Sequence, residues 1–272
     1  MRENPLKVKF RKGEPVVGLF CNLPSPAAVE VLGLLGYDFV IIDAEHGVSD
    51  LETCEHMLRA AEVVGITPIV RVAVNLPQNI LRYLDAGAMG LQIPMVNTRA
   101  EAEAVVAAAR YPPLGRRGLA GVRANRYGVA GSLGEYVQQA NREVLVCVQL
   151  ETRTAIQNAA DIVTVEGIDV IFAGPSDLSA ALGYPGQPTH PEVMAAVQGI
   201  GRLAQKAGKV AGTIARDGEA YAGWRREGFL YLASGIVSVL ASGARALLEA
   251  CREKEKALAA QRAPGRGVGG EG

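Results

Sequence analysis

The chain has 272 residues, a length that suits one large α/β domain, such as a barrel of about 250 residues, or two small domains. Hydrophobic residues make up 49% of it, enough for a large core, and the formal net charge of zero gives no electrostatic reason to expect nucleic acid or an anionic membrane as partner. Its apolar stretches are far shorter than the roughly 18 residues that a membrane-spanning helix needs.

The two ends of the chain are predicted to lie outside the folded domain. Residues 1–12 are polar and lack the apolar core of a signal peptide, so we expect a flexible N-terminus and no export. The Gly- and Arg-rich residues 259–272 predict a disordered tail. The four cysteines are widely separated and form no Cys-x-x-Cys pair, and three lie within apolar or helical patterns. This favours buried, reduced thiols and a cytoplasmic protein.

Between these ends, over residues 13–258, the pattern switches repeatedly between short apolar runs and helical spacing. The runs predict strands at residues 16–23, 39–43, 68–74, 90–96, 145–150, 169–173, 209–214 and 229–233. The helical patterns cover residues 26–35, 51–64, a stretch that begins at Pro77, and residues 99–110, 191–207, 219–227 and 237–255. Thr98 is a predicted N-cap, and Glu101 three residues later would complete a capping box.

Eight strands alternating with about eight helices predict a single α/β domain, a (β/α)₈ TIM barrel. A doubly wound open sheet is the main alternative. Such a sheet more often has a Gly-rich nucleotide-binding turn after its first strand, whereas this chain has Leu23-Pro24-Ser25-Pro26 there. One connection, residues 111–133, is longer than usual, and loops of that length inside a compact domain are usually functional.

Polar and charged residues concentrate just after four of the predicted strands. In a parallel α/β fold the downstream ends of all strands lie on one face, so we expect these groups to converge there. They are Asp43-Ala44-Glu45-His46, Arg71, Gln149-Leu150-Glu151 and Gly174-Pro175-Ser176-Asp177.

Glu151 and Asp177 follow consecutive predicted strands, the fifth and the sixth. Two carboxylates at close range repel each other unless a cation lies between them. A hard divalent ion such as Mg²⁺ or Mn²⁺ takes oxygen ligands and keeps several waters, so two carboxylates and a chelating substrate would complete its shell. The alternative is that Glu151 pairs with an Arg and that Asp177 caps the helix after it.

Two further clusters have both a chemical and a structural interpretation. The planar fork of Arg71 suits a carboxylate or an enolate oxygen, or else it forms a salt bridge to a nearby acid. Asp43 accepting from one nitrogen of His46 would leave the other nitrogen as a base, or else His46 is a hydrogen-bonded loop residue. Glu45 would orient water or the histidine, or face solvent.

The turn Gly174-Pro175-Ser176 can present backbone N–H groups and the start of a helix to an anion. Gly212-Thr213, at the end of the seventh predicted strand, could approach the same ligand without a bulky side chain. Gly-rich strand ends also serve tight turns, so both interpretations stay open.

Taken together, these stretches make the chain from about residue 17 to 250 resemble the HpcH/HpaI aldolase family of metal-dependent class II pyruvate aldolases. That family includes aldolases of 4-hydroxy-2-oxoheptanedioate and of 2-keto-3-deoxy-sugar acids. The stretches are Val40-Ile41-Ile42-Asp43-Ala44-Glu45-His46-Gly47, Val70-Arg71-Val72, Tyr111-Pro112-Pro113-Leu114-Gly115-Arg116-Arg117-Gly118, Gln149-Leu150-Glu151-Thr152 and Phe172-Ala173-Gly174-Pro175-Ser176-Asp177-Leu178.

The resemblance implies a (β/α)₈ barrel whose last helix is swapped onto a neighbouring subunit, in a homohexamer built as a trimer of dimers. It implies a divalent cation, Mg²⁺, Mn²⁺ or Co²⁺, on Glu151 and Asp177. The pyruvate that chelates this cation would have Arg71 as a further contact.

The resemblance also implies roles for other residues. It implies substrate contacts from the backbone of the turn at Gly174, Pro175 and Ser176, a base dyad of His46 and Asp43, and a supporting or substrate-contacting role for Gln149. Asp85 precedes the fourth strand, on the wrong face of the barrel, so any role in catalysis would be across a subunit interface.

The implied activity is reversible cleavage of a 2-keto-4-hydroxy acid into pyruvate and an aldehyde, through a pyruvate enolate that the metal stabilises. Two alternatives stay open. One is an acyl-CoA lyase like the citrate lyase β-subunit or malyl-CoA lyase, and the other is a keto-acid-binding relative without catalysis. The sequence leaves open the acceptor aldehyde, the stereoselectivity, the pathway and the metal used in the cell.

Overall fold

The computed structural model describes residues 2–262, and its centre is a closed barrel of eight parallel strands. Each strand pairs with the next one in sequence, and β1 pairs with β8 to close the ring. The predicted (β/α)₈ barrel is confirmed. The strands are β1 (Val16–Cys21), β2 (Phe39–Asp43), β3 (Thr67–Arg71), β4 (Gly90–Ile93), β5 (Leu145–Leu150), β6 (Val170–Ala173), β7 (Val210–Ile214) and β8 (Tyr231–Gly235).

Helices surround the barrel, and local sequence sets their ends. The predicted capping box at Thr98 and Glu101 is present, and the third helix runs from the Asp50 cap to Gly65, which takes the left-handed conformation that ends a helix. The helices are α1 (Pro5–Arg11), α2 (Pro26–Leu34), α3 (Leu51–Val64), α4 (Pro77–Ala86), α5 (Arg99–Ala109), α6 (Leu133–Glu143), α7 (Arg153–Gln157), α8 (Ala159–Ile162), α9 (Pro175–Leu182), α10 (Pro191–Lys206), α11 (Gly218–Arg226) and α12 (Ile236–Arg262).

Aromatic rings fill the lower part of the barrel interior. Phe39 stacks on Tyr231 with ring centroids 4.3 Å apart, and Phe172 meets Tyr231 edge-on at 6.1 Å. Gly18 is needed beside them, because a Cβ at that position would lie 2.5 Å from the Phe39 ring. The packed interior leaves the chemistry to the upper rim, where the strands end.

The N-terminus differs from the flexible segment expected over residues 1–12. Pro5–Arg11 forms α1 across the lower end of the barrel, and Leu6 is fully buried among the interior side chains. The Asn4 side chain caps this helix and donates to the carbonyls of Met89 and Glu143. A seven-residue helix with one fully buried apolar residue has too little periodicity to be recognised from sequence.

The C-terminal helix α12 has 27 residues, and almost every described side chain on it is exposed. Its first turns contact β1 and β8, and its apolar residues Val239, Leu240, Leu247 and Leu248 are exposed. A disordered tail was predicted for residues 259–272, but residues 259–262 continue this helix. The rest of the predicted tail, residues 263–272, lies outside the described residues. No helix within residues 2–262 combines the length and apolar character required to cross a membrane.

Because Leu6 closes the barrel from below, Leu6→Ala should lower the free energy of unfolding by about 2–5 kcal/mol. Denaturant unfolding followed by circular dichroism measures this. The matched control is Leu114→Ala, since Leu114 is 62% exposed and its truncation should change stability by less than about 0.5 kcal/mol. Equal stability of the Leu6 variant and the wild type would show that α1 is not part of the core.

Candidate active site

The predicted site residues surround one cavity of about 350 Å³ at the upper rim of the barrel. Of the ten residues proposed from the sequence, only Glu151 and Asp85 do not line it. Glu151 is buried directly behind the wall, against Gly174, whereas Asp85 lies elsewhere. The eight predicted residues that line the cavity are Asp43, His46, Arg71, Gln149, Gly174, Pro175, Ser176 and Asp177.

The carboxylates of Glu151 and Asp177 both lie beside Gly174. A Cβ added to Gly174 would lie 3.0 Å from Glu151 Oε2 and 3.6 Å from Asp177 Oδ2, so one oxygen of each acid lies close to the same point. Only glycine leaves that space open. Burial raises the pKa of Glu151 to about 7, and the neighbouring Asp177 charge adds to the rise.

A hydrogen-bonded chain through the barrel interior orients Glu151. Gln149 Nε2 donates to Glu151 Oε2 at 2.6 Å, and Gln92 Nε2 donates to Gln149 Oε1 at 2.6 Å. The Tyr231 hydroxyl in turn donates to Gln92 Oε1 at 3.2 Å, and the Met95 N–H donates to the other Glu151 oxygen at 2.8 Å. Gln92 and Tyr231 were not predicted as site residues, although a glutamine inside an apolar strand is a usable signal.

Arg71 is held by acids, as its alternative interpretation predicted. Its Nε and one terminal nitrogen donate to the two Asp43 oxygens at 2.9 and 2.6 Å, and the other terminal nitrogen lies 3.2 Å from Glu45 Oε2. The guanidinium also lies over the Phe20 ring, 4.7 Å from its centroid. This fork links the ends of β2 and β3 and leaves Arg71 facing the cavity.

Asp43 was expected to accept a hydrogen bond from the His46 ring, but it binds other groups instead. Its carboxylate is bound by Arg71, and its Oδ1 also accepts from the backbone N–H groups of Glu45 and His46. A bidentate guanidinium is a stronger partner than a neutral imidazole, so Arg71 takes the carboxylate. Burial alone would raise the pKa of Asp43, but Arg71 and the two N–H groups lower it below its ordinary value.

His46 therefore faces the cavity without a fixed ring partner. Its imidazole lines the cavity, and within residues 2–262 the ring makes no hydrogen bond. Glu45 lies near this ring: burial raises the pKa of Glu45, while its interactions with Arg71 and His46 oppose that rise. Both ring nitrogens are thus free to act on a ligand.

The turn at Gly174 opens α9 towards the cavity. Gly174 is the N-cap and supplies no side-chain cap, and Pro175 and Ser176 are the first helical residues. Thr213 Oγ1 donates to the Ala173 carbonyl at 2.9 Å and fixes the strand end below the turn. An uncapped first turn that lines a cavity suits an anion, because its N–H groups lack intrahelical partners.

Asp85 does not reach this cavity within the same chain. It lies near the end of α4, where it accepts from buried Arg117 at 2.7 Å, and the Arg117 guanidinium stacks on the Tyr111 ring at 4.6 Å. The Tyr111–Gly118 stretch therefore ties the long connection to α4.

The carboxylates of Glu151 and Asp177 suit a cation whose remaining coordination positions are filled by water or substrate. Within residues 2–262, no three His, Cys, Asp or Glu side chains come together in a complete metal cage. Glu151 and Asp177 instead offer two carboxylates over an open glycine. Hard divalent ions such as Mg²⁺ are commonly held by one or two carboxylates in this manner, whereas structural zinc takes four protein ligands.

Comparison with known proteins agrees with this geometry. The model of the HpcH/HpaI aldolase/citrate lyase family matches residues 16–243. The chain is 42% identical over 247 residues to a pyruvate aldolase of Rhizobium etli, with 90% of this chain and 96% of the relative covered. It is 38% identical over 248 residues to a 4-hydroxy-2-oxo-heptane-1,7-dioate aldolase of Shigella sonnei, covering 90% and 94%.

A solved structure extends the match to the fold. The structure of an HpcH/HpaI aldolase/citrate lyase family protein from Burkholderia cenocepacia superposes with a TM-score of 0.87 at 36% identity, covering 92% of this chain and 99% of that one. With its barrel, its strand-end acids and these matches, the chain belongs to the HpcH/HpaI aldolase/citrate lyase family.

Proposed function

We propose that the protein is a divalent-metal-dependent pyruvate aldolase, an aldehyde-lyase that reversibly cleaves a 2-keto-4-hydroxy acid into pyruvate and an aldehyde. The observation that carries the proposal is that the Glu151 and Asp177 carboxylates approach the same point beside Gly174, at a rim that also carries Arg71 and His46. The curated relatives described above are named as aldolases, which favours this activity over an acyl-CoA lyase or a binding protein without catalysis.

Glu151 and Asp177 would hold the cation, which is Mg²⁺, Mn²⁺ or Co²⁺ in this proposal. When bound, such an ion neutralises negative charge that develops on the keto oxygen of the substrate. Gln149 and the Met95 N–H keep the two Glu151 oxygens oriented, so the carboxylate needs little rearrangement to act as a ligand.

Arg71 and the first turn of α9 would bind the pyruvate half. The free N–H groups at Ser176 and Asp177 suit the carboxylate of the keto acid. Arg71 is fixed by Asp43, and its positive charge faces the cavity where the enolate oxygen would form. Asp43 is therefore a positioning residue for Arg71 in this account.

His46 would act as the base. A ring nitrogen takes the proton of the C4 hydroxyl, the C4 oxygen becomes the aldehyde carbonyl, and the C3–C4 bond breaks with its electrons passing into the pyruvate enolate. Protonation at C3 then gives pyruvate. In the synthetic direction the same base removes a methyl proton from pyruvate. The unpartnered imidazole supports this role.

We also propose a homo-oligomer, a hexamer in which α12 packs on a neighbouring subunit. This packing of α12 on a neighbour is supported by the apolar residues exposed along the 27-residue helix, because such a surface is unfavourable in water. They include Leu240, Leu247 and Leu248. Any role of Asp85 in catalysis would then be in a neighbour's cavity. The cysteines Cys21, Cys54 and Cys147 are buried and free, which supports a reducing cytoplasm.

Removing the metal should abolish the activity. Treatment with a strong chelator, Glu151→Gln, or Asp177→Asn should each lower pyruvate release from a 2-keto-4-hydroxy acid by about 100-fold or more, because charge stabilisation at the enolate is lost. Added Mn²⁺ should restore only the chelated wild type. Glu103→Gln, on the exposed face of α5, is the control and should stay active. Undiminished activity in chelator would contradict the proposal.

Metal binding should depend on pH through Glu151. Burial raises the pKa of its carboxyl to about 7, so below that pH a proton occupies the group and competes with the cation. The apparent dissociation constant for Mn²⁺ should therefore rise about tenfold per pH unit below 7 and level off above it. Titration calorimetry between pH 5.5 and 8.5 measures this, and affinity that is constant across the range would contradict the assignment.

A further inference from the structure

The side of the cavity across the barrel from Glu151 carries two polar side chains that the proposed mechanism does not use. Asn22 follows β1, and Ser238 lies in the first turn of α12, just after β8. Strands β1 and β8 are neighbours, and β1 is four strands away from β5, the strand that Glu151 follows. If pyruvate occupies the side with Glu151, Asn22 and Ser238 face the other half of the substrate.

Neither side chain is engaged within the protein. Among residues 2–262, the Asn22 amide and the Ser238 hydroxyl have no hydrogen-bond partner, although both line the cavity. Ser238 Oγ would lie 3.6 Å from a Cβ at Gly235, so the glycine leaves open space beside the hydroxyl. An amide and a hydroxyl can each donate and accept, which suits the hydroxyl groups of a ligand.

The charges of the cavity disfavour a second anionic group on the substrate. Besides Glu151 and Asp177, which would hold the proposed cation, the acids Asp43 and Glu45 lie at this rim, and Arg71 is the only Lys or Arg among the described lining residues. Arg71 is already paired with two of those acids, Asp43 and Glu45. A carboxylate at the far end of the substrate would find no Lys or Arg besides Arg71 among the described residues that line the cavity, and Arg71 is assigned to the pyruvate half.

The remaining wall is apolar and close. Phe20, Ile214 and Val237 also line the cavity, and the whole space is about 350 Å³. Such a space, shared with pyruvate, suits a short carbon chain whose polar groups point to the rim.

We propose, on the basis of the pyruvate aldolase function above, that the acceptor is a short uncharged hydroxyaldehyde whose hydroxyl groups bind Asn22 and Ser238. Aldehydes that carry a carboxylate are poor acceptors. Asn22 and Ser238 are thus specificity-determining residues. They make no contact with the reacting bond.

The Mn²⁺-loaded full-length enzyme tests this with three substrates: the pyruvate adducts of glyceraldehyde, of succinic semialdehyde and of acetaldehyde. The expected kcat/KM for the glyceraldehyde adduct is at least about 10-fold above that for the succinic semialdehyde adduct. A preference for the succinic semialdehyde adduct, or equal values for the two, overturns the proposal.

Variants separate hydrogen bonding from general damage to the site. Asn22→Ala and Ser238→Ala should each lower kcat/KM for the glyceraldehyde adduct about 10-fold more than for the acetaldehyde adduct, which lacks the extra hydroxyls. Asn22→Arg should shift the preference towards the dicarboxylate. Ser242→Ala, one turn further along α12 and outside the cavity lining, is the control and should match the wild type. Equal losses on both adducts overturn the proposal.

Exchange of the pyruvate methyl protons in deuterated water tests the pyruvate aldolase function separately from the acceptor class. Exchange that persists while the succinic semialdehyde adduct is preferred rejects the acceptor class and leaves the pyruvate aldolase function standing. Absence of both exchange and cleavage rejects the aldolase function and the acceptor class with it.

Discussion

The buried carboxylate of Glu151 is the constraint on which the rest of the site depends. A charged carboxylate away from water and next to a second acid is unfavourable unless its neighbours compensate. The Met95 N–H and the Gln149 amide do so in part, and Gly174 keeps the space between Glu151 and Asp177 open. The negative charge that remains uncompensated is what the proposed divalent cation would neutralise.

The Asp43–Arg71 pair has the corresponding role on the neighbouring strands. Removing one member of a buried ion pair typically costs about 3–5 kcal/mol, because the other charge is left without a partner. Here the pair joins the ends of β2 and β3 and aims the guanidinium at the same cavity as the two acids. The site thus combines a region of excess negative charge with one fixed positive group, and a keto acid chelating a cation complements both.

The sequence predicted where the functional groups lie better than which groups bond to each other. The bounds of β2, β5 and α3 agree with the predicted ranges, since strong apolar runs and clear caps define them. Strand order then places Asp43, Arg71 and Asp177 at one rim. The preference of Asp43 for Arg71 over His46 depends on side-chain geometry across two strands, which periodicity does not contain.

Other features escaped prediction for different physical reasons. Helix α1 is stabilised by contacts with distant residues through Leu6 and Asn4 rather than by its own pattern. The chain from Tyr231 through Gln92 to Gln149 links β8 to the paired strands β4 and β5, and Tyr231 reaches Gln92 only across the interior of the closed barrel. The proposed acceptor side combines Asn22, just after β1, with Ser238, at the start of α12, and the two come together because β1 pairs with β8.

The central claim is that a cation held by Glu151 and Asp177 binds the pyruvate half of the substrate. Anomalous diffraction at the manganese edge, from crystals grown with Mn²⁺ and pyruvate, tests it most directly. We predict one strong peak in contact with both carboxylates, with the keto and carboxylate oxygens of pyruvate completing the coordination of the manganese. Pyruvate bound in the cavity with no metal between Glu151 and Asp177, or manganese bound only elsewhere, would contradict it.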